Sequence, residues 1–314
     1  VTNDNQLNVS KSEILFLYES TYSIPNGDPF TGEQRYDDET KKILVSDVRI
    51  KRFIRDYFFE KGDDIYVIND RGSIEEGAKG SGAARRMGSL KKKYEKDPTV
   101  LGGSKKGGLD ALKVMQKCID VRLFGGISTE EGDAVNLTGP VQFALLNPSL
   151  NAVDLRIHQN TSVFSSSEEK TRGAIGTTTV VPYAVNQIHG WINPYSARYT
   201  NLQEEDITEM FKALWHSVNN INTRSKSNQN SLLLLQIVYS QPTKKLYGID
   251  RMITLQSDKQ GEQIRSSDDY KLDLTKLKQA IETDNVTKIN FYTEHKGLKE
   301  ELEKLEKFSL MEIA

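Results

Sequence analysis

The chain has 314 residues, 37% of them hydrophobic and 27% charged, with a mean hydropathy of -0.55; this composition excludes wholesale disorder and leaves room for one elaborated domain or two modest ones. A single cysteine, Cys118, excludes an intramolecular disulfide framework and a multi-cysteine zinc site, so Cys118 reads as a small core residue in a reducing compartment. No stretch approaches a membrane span and the first residues lack a basic-then-apolar leader, so a cytoplasmic location with no membrane association is expected.

The net charge of -2 is unevenly spread: Lys79 to Lys117 holds 11 Lys or Arg against 3 Asp or Glu, leaving the remainder at -10. A local surplus of that size is consistent with phosphate binding at one face, because screened fields act locally.

In chain order, "SEILFLYES" from Ser12 to Ser20 predicts a buried strand, stopped by Pro25, Gly27, Pro29 and Gly32 in a polar loop. Ser46 and Asp47 are helix N-cap candidates for an amphipathic helix reaching about Phe59. At 100° per residue Ile50, Phe53, Ile54 and Tyr57 share one face, while Arg49, Lys51, Arg52 and Arg55 sweep the opposite side. The Gly/Lys-rich stretch over residues 61–118 predicts a helical insertion with loops. "IDVRLFGG" (Ile119 to Gly126) and "NLTGPVQFALLNP" then read as strands, with Gly139-Pro140 marking an edge or bulge. From Asn147 to Thr179 the chain is a polar, weakly periodic excursion, expected to be functional or mobile rather than packed.

"TVVPYAVNQIHGWINP" restores strand character, and "EEDITEMFKALWHSVNN" is an amphipathic helix on which Ile207, Met210, Phe211, Leu214 and Val218 align. "NQNSLLLLQIVYSQP" and "YGIDRMITLQ" predict strands, "DLTKLKQAIET" a helix, "VTKINFYTE" a strand and "GLKEELEKLEKF" a terminal helix. The order suggests an interrupted α+β sandwich.

The four histidines, His158, His189, His216 and His295, are scattered with no metal-ligand spacing. GxSxG, GxxxxGK[ST] and strand-borne GxGxxG are all missing, so no catalytic residue, metal or cofactor is expected. Asp28, Glu33, Asp37, Asp38 and Glu39 could hold a divalent ion for phosphodiester cleavage, but turn formation and solvation explain them more simply. The helix cations leave two readings open, a phosphate-binding face and a solvated one, since only Asp47 and Asp56 offer local opposite charge.

Several motifs in order resemble the Cas-seven family, the backbone subunits of type I CRISPR surveillance complexes (Cascade) within the RAMP superfamily, and most closely its I-B and I-C branches. They are Pro25-Asn26-Gly27-Asp28-Pro29, Asp38-Glu39-Thr40, Ser46-Asp47-Val48-Arg49-Ile50-Lys51-Arg52 continuing through Ile54-Arg55-Asp56-Tyr57, "DVRLFG" at Asp120 to Gly125, "TGPVQF" at Thr138 to Phe143 and "VPYAVNQIHGWIN" at Val181 to Asn193. Ile24 and Ser46 depart from residues common in the family. The resemblance implies an α+β fold with a modified RRM-like (ferredoxin-like) core across residues 1–314, large insertions, and a hand shape whose protruding thumb is residues 147–181. It implies a non-catalytic subunit that polymerises along CRISPR RNA, touching neighbouring copies of itself and other Cascade subunits, and meeting target DNA through the guide. The residues it nominates for RNA are Asn26, Asp28, Arg35, Ser46, Arg49, Lys51, Arg52, Arg55, Arg122, Gln142, Arg156 and Arg172. The enzymatic alternative is a metal-dependent RNA endonuclease of the type III kind, using an acidic loop residue such as Asp28 or Asp38.

Overall fold

A computed structural model describes residues 7–68, 82–102, 108–129, 134–161 and 175–313. Its strands are β1 (Ser12–Ser23), β2 (Tyr36–Asp37), β3 (Lys42–Ser46), β4 (Gly125–Ser128), β5 (Val135–Thr138), β6 (Val141–Phe143), β7 (Leu146–Pro148), β8 (Arg156–Thr161), β9 (Ile175–Ile192), β10 (Gln229–Tyr239), β11 (Thr254–Gln256), β12 (Lys271–Asp273), β13 (Val286–Tyr292) and β14 (Phe308–Leu310). The helices are α1 (Asp47–Lys61), α2 (Gly82–Lys93), α3 (Ala111–Gln116), α4 (Ile119–Phe124), α5 (Pro194–Thr200), α6 (Glu204–Asn220), α7 (Thr275–Ala280) and α8 (Lys296–Leu302).

The main sheet runs β14-β13-β10-β1-β9-β6, with β8 pairing to β9 off this path. Its centre is a β-α-β-β-α-β succession, β1, α1, β6, β9, α6 and β10, in which β1 lies antiparallel to both β9 and β10. The uninterrupted apolar run Ile14 to Tyr18 follows from this position, because alternate side chains enter two different cores. Ile14, Phe16 and Tyr18 meet α1 and α6 through Ile50, Phe53, Phe58, Met210, Leu214 and Trp215. Leu15 and Leu17 face the other way, onto Ile249, Ile253, Ile264, Leu274 and Leu277. A third cluster, Met87, Leu90, Val100, Ala111, Val114, Met115, Cys118 and Val121 with Tyr66, lies within the Gly/Lys-rich insertion and α4.

The core strands and α6 follow the sequence pattern, and Cys118 is buried as expected. Four expectations are corrected. Ile119 to Phe124 is helical, not a strand; its alternation fitted either state, and buried Asp120 and the packing of Val121 and Leu123 favour the helix. Gly125 ends it at φ 75°, where an added Cβ would sit 2.1 Å from the Leu137 carbonyl oxygen, so backbone contact requires glycine. The terminal helix stops at Leu302 and the chain turns into β14, which pairs parallel with β13. The excursion after Asn147 begins as packed structure: Asn147, Ser149, Asn151 and Val153 are all buried. Asn151 holds Val185 N–H at 2.9 Å and donates to the Tyr183 carbonyl at 3.2 Å, which satisfies polar groups beneath this segment. "YGIDRMITLQ" yields one 3-10 turn at Ile249–Arg251 and the short β11 rather than a long strand.

Candidate nucleic-acid interface

The loop between β1 and β2 is tied to the start of α1 by a buried amide. Asn26 Oδ1 accepts from Ser46 N at 2.6 Å and Ser46 Oγ at 2.7 Å, while Asn26 N donates to Gln34 Oε1 at 2.9 Å. Ser46 caps the helix as its sequence position predicts, accepting from Arg49 N at 3.4 Å. Asp28 shapes the loop tip by accepting from Phe30 N at 2.9 Å and Thr31 N at 3.3 Å, and its other oxygen pairs with Arg35 at 3.1 Å. The Phe30 N–H is the main influence holding the Asp28 carboxyl below its usual range, with Thr31 and Arg35 adding to it against a burial cost. Phe30 itself stands 96% exposed beside this turn.

The cations of α1 are mostly paired, Lys51 and Arg52 with the local Asp47 and Asp56, and Arg55 with Asp120, a carboxylate the local sequence did not show. Lys51 Nζ reaches Asp47 at 3.3 Å and Gln142 Oε1 at 3.0 Å. Arg52 Nε bonds Asp56 at 2.5 Å. Arg55 Nε bonds Asp120 at 2.9 Å, and its guanidinium carbon lies 5.2 Å from the centre of the Phe124 ring. Arg49 differs: its guanidinium carbon is 3.9 Å from the Phe53 ring centre, and Nε and Nη2 are shielded from water without an acceptor. It is therefore not on the wet face assigned by the helical wheel. Phe58 takes the buried place expected of Tyr57, which is half-buried and stacks against His216.

The structure thus brings Asn26, Asp28, Arg35 and Ser46 together in one loop and cap, and joins Lys51 of α1 to Gln142 of β6. Arg122 lies in α4, where Nε and Nη2 make a bidentate pair with Asp206 at 2.9 and 2.7 Å. That fork binds the first turn of α6, a structural task the sequence did not signal. Arg156 is exposed on β8, and Arg172 lies outside the described residues. Sequence reasoning missed Asp120, which is fully buried and also accepts from Tyr66 N and Val67 N at 2.7 and 3.0 Å.

The histidines serve separate local tasks, His189 bonding Glu13 at 2.9 Å and His295 capping α8. Among the described residues no group of three or more His, Cys, Asp or Glu is arranged to hold a metal, and no helix is long and apolar enough to cross a membrane. Both oxygens of Asp28 are already occupied by the turn and Arg35.

Against known families, a model described as CRISPR-associated protein Cas7 matches residues 10–275. The chain belongs to the Cas7 family. A Haloferax volcanii protein named CRISPR-associated protein Cas7 is 29% identical over 301 residues, covering 87% of this chain and 83% of the relative. The fold is similar to a chain of a structure titled "CRISPR RNA-guided surveillance complex, pre-nicking", with a TM-score of 0.52 and 13% identity over 91% of this chain and 93% of that one. A second structure, titled "CRISPR RNA-guided surveillance complex", gives a TM-score of 0.51 and 12% identity over 91% and 90%. The Cas7 match takes in β1, the capped loop, α1, both arms of the β8–β9 pair and α6.

Proposed function

We propose that this Cas7 chain is a non-catalytic backbone subunit that polymerises along CRISPR RNA in a type I surveillance complex of the I-B or I-C kind. The observation that carries the reading is the family match from residue 10 to residue 275, because it takes in the loop, cap and cationic helix together. The β-α-β-β-α-β centre is then an RRM-like palm, with residues 61–118 an inserted helical segment and residues 147–181, including the β8 and β9 arms, the thumb. Neighbouring copies, other complex subunits and target DNA paired to the guide are the partners, and the compartment is the cytoplasm.

The physical basis is sequence-independent binding. Cations and backbone N–H groups hold phosphates, so any guide is accepted and the bases stay free to pair. Ser46, with Asn26 bracing it, presents the start of α1, where the helix dipole favours an anion. Arg52 spends Nε on a carboxylate, which fixes its guanidinium plane and leaves the outer N–H fork for a phosphate, while Arg55 is anchored on Asp120 at the edge of the same face. Lys91, Lys92 and Lys93 close the last turn of α2 and form a basic surface for the displaced or target DNA.

Coexpression with a CRISPR RNA and the partner subunits tests the reading. Copurification of RNA with a multi-copy assembly is expected; a single-copy, RNA-free protein refutes it. Within such an assembly, each phosphate-binding cation replaced by a neutral residue lowers the salt slope by ~1 without changing guide preference.

A further inference from the structure

On the face of the main sheet turned away from α1 and α6 lies a cleft of about 500 Å3. Gln187 and His189 line it from β9, on the side of that strand shared with Tyr183 and Val185. The cleft runs between β7 with the residues after it and, opposite, the 3-10 turn Ile249–Arg251 with β11. Leu146, Leu150, Ile253, Leu255 and Ile264 give it aliphatic walls, and Leu146 is 44% exposed there. The two sides are fastened to the sheet and to each other: Gln187 Nε2 donates to the Asp250 carbonyl at 2.5 Å, and Asn151 Nδ2 to the Gly261 carbonyl at 3.3 Å. The cleft is therefore pre-formed rather than a gap between loose loops.

Among the described residues β11 pairs only with β12, and no residue of β12 lines the cleft. Thr254 and Leu255 are consecutive, so their side chains leave opposite faces of the strand, yet both line the cleft. The cleft thus follows the open edge of β11, where main-chain groups are left without a ladder partner. Two cations line the same space, Lys42 and Arg251, and among the described residues neither has a carboxylate within ion-pair distance. Lys259, the third, is spent on Asp269 at 2.6 Å. The Arg251 guanidinium carbon stands 5.5 Å from the centre of the Tyr247 ring, which is 83% exposed, and exposed Tyr and Arg together are typical anchors of protein interfaces. Aliphatic walls and the acid Asp250 beside Arg251 suit a nucleic acid poorly, since it carries a charge at every step. A peptide supplies main-chain bonds, apolar side chains and a few carboxylates at once.

We propose that the cleft between β7 and β11 is a docking site for an extended acidic peptide segment of a different protein. The segment adds a strand to the open edge of β11, sets apolar side chains against Leu146, Ile253 and Leu255, and brings carboxylates to Lys42 and Arg251. Placing that segment in another subunit of the same complex rests on the guide-binding reading; the peptide site itself does not.

The first experiment titrates the full chain, without RNA, into a short fluorescein-labelled peptide alternating valine and glutamate, with a valine–lysine peptide as control, and reads anisotropy. Saturable binding of the acidic peptide alone is expected, and Lys42→Ser and Arg251→Ser, both surface changes, should each weaken it roughly two- to fivefold. No binding of the acidic peptide, equal binding of the two peptides, or equal affinity in wild type and both variants overturns the site. The second experiment uses the reconstituted complex. Gln256→Cys places a thiol at the exposed end of β11, and because the one native cysteine, Cys118, is buried, a benzophenone maleimide labels the new thiol selectively. A photo-adduct on an acidic segment of another subunit is expected; an adduct on RNA or on a second copy of this chain, or none, overturns the partner assignment. If the complex carries no RNA while the free chain keeps its Arg251-dependent peptide binding, the guide reading fails and the peptide site stands.

Discussion

Removing the Asp120 carboxylate should cost more stability than any other single polar change near α1. Asp120 is fully buried and serves three donors: Arg55 Nε at 2.9 Å, Tyr66 N at 2.7 Å and Val67 N at 3.0 Å. Alanine there leaves the Arg55 side chain, itself only 15% exposed, as an unpaired buried charge, and orphans two backbone N–H groups. Breaking a buried pair from one side costs about 3–5 kcal/mol, and the two lost backbone bonds place Asp120→Ala at the upper end. Asp120→Asn keeps the shape and one acceptor oxygen but sets an amide donor against donors, so a loss of about 2–3 kcal/mol is expected. Adding Arg55→Met to Asp120→Ala removes the stranded charge, and the double variant should be more stable than the two single losses predict by roughly 1–3 kcal/mol. Urea unfolding followed by circular dichroism and by the fluorescence of buried Trp215 provides the measurement, provided the two probes coincide. A loss below ~1 kcal/mol for Asp120→Ala, or strict additivity with Arg55→Met, would refute the argument that this pair is a buried anchor.

Other outcomes follow from the same geometry. Ser46→Ala loses the cap of α1 and a bond to Asn26, for a cost of about 1–2 kcal/mol by denaturant midpoint. Gly139→Ala would put a Cβ 2.0 Å from the Phe124 carbonyl carbon, so the β5–β6 link must shift from the end of α4 and soluble yield should collapse; normal yield and melting would contradict this. Asp97 bonds Lys117, Thr99 N and Thr99 Oγ1, and these contacts, led by Lys117, hold its carboxyl down to about 2. Its native value lies below the unfolded value of about 3.9, so its contribution is present above that pH and fades as pH falls from ~4 toward ~2. Melting temperatures at pH 6, 4 and 3 should therefore fall less steeply for Asp97→Asn than for wild type.

Local pattern was enough for the strand at Ile14 to Tyr18, the cap at Ser46 and the apolar stripe of α6, because each depends on neighbours within a turn or two of chain. The motif order around Asn26 and Asp47 then carried the family. What local pattern missed depends on distance along the chain: Arg55 finds Asp120 across 65 residues and Arg122 finds Asp206 across 84. A helical wheel assigns such arginines to solvent because it contains no tertiary acid. The strand expectation at Ile119 failed for a related reason, since a six-residue alternation fits either period and only the surrounding core decides.

The separate cluster of Met87, Leu90, Val114, Met115 and Cys118 has a kinetic consequence. A segment with its own apolar centre, joined to the sheet through Asp120 and its partners on α1, can open as a cooperative unit while β1, β9 and β10 stay closed. Amide hydrogen exchange should accordingly show two tiers, with α2 and α3 exchanging together and earlier than the central strands. Asp120→Asn should speed the first tier while leaving the second nearly unmoved.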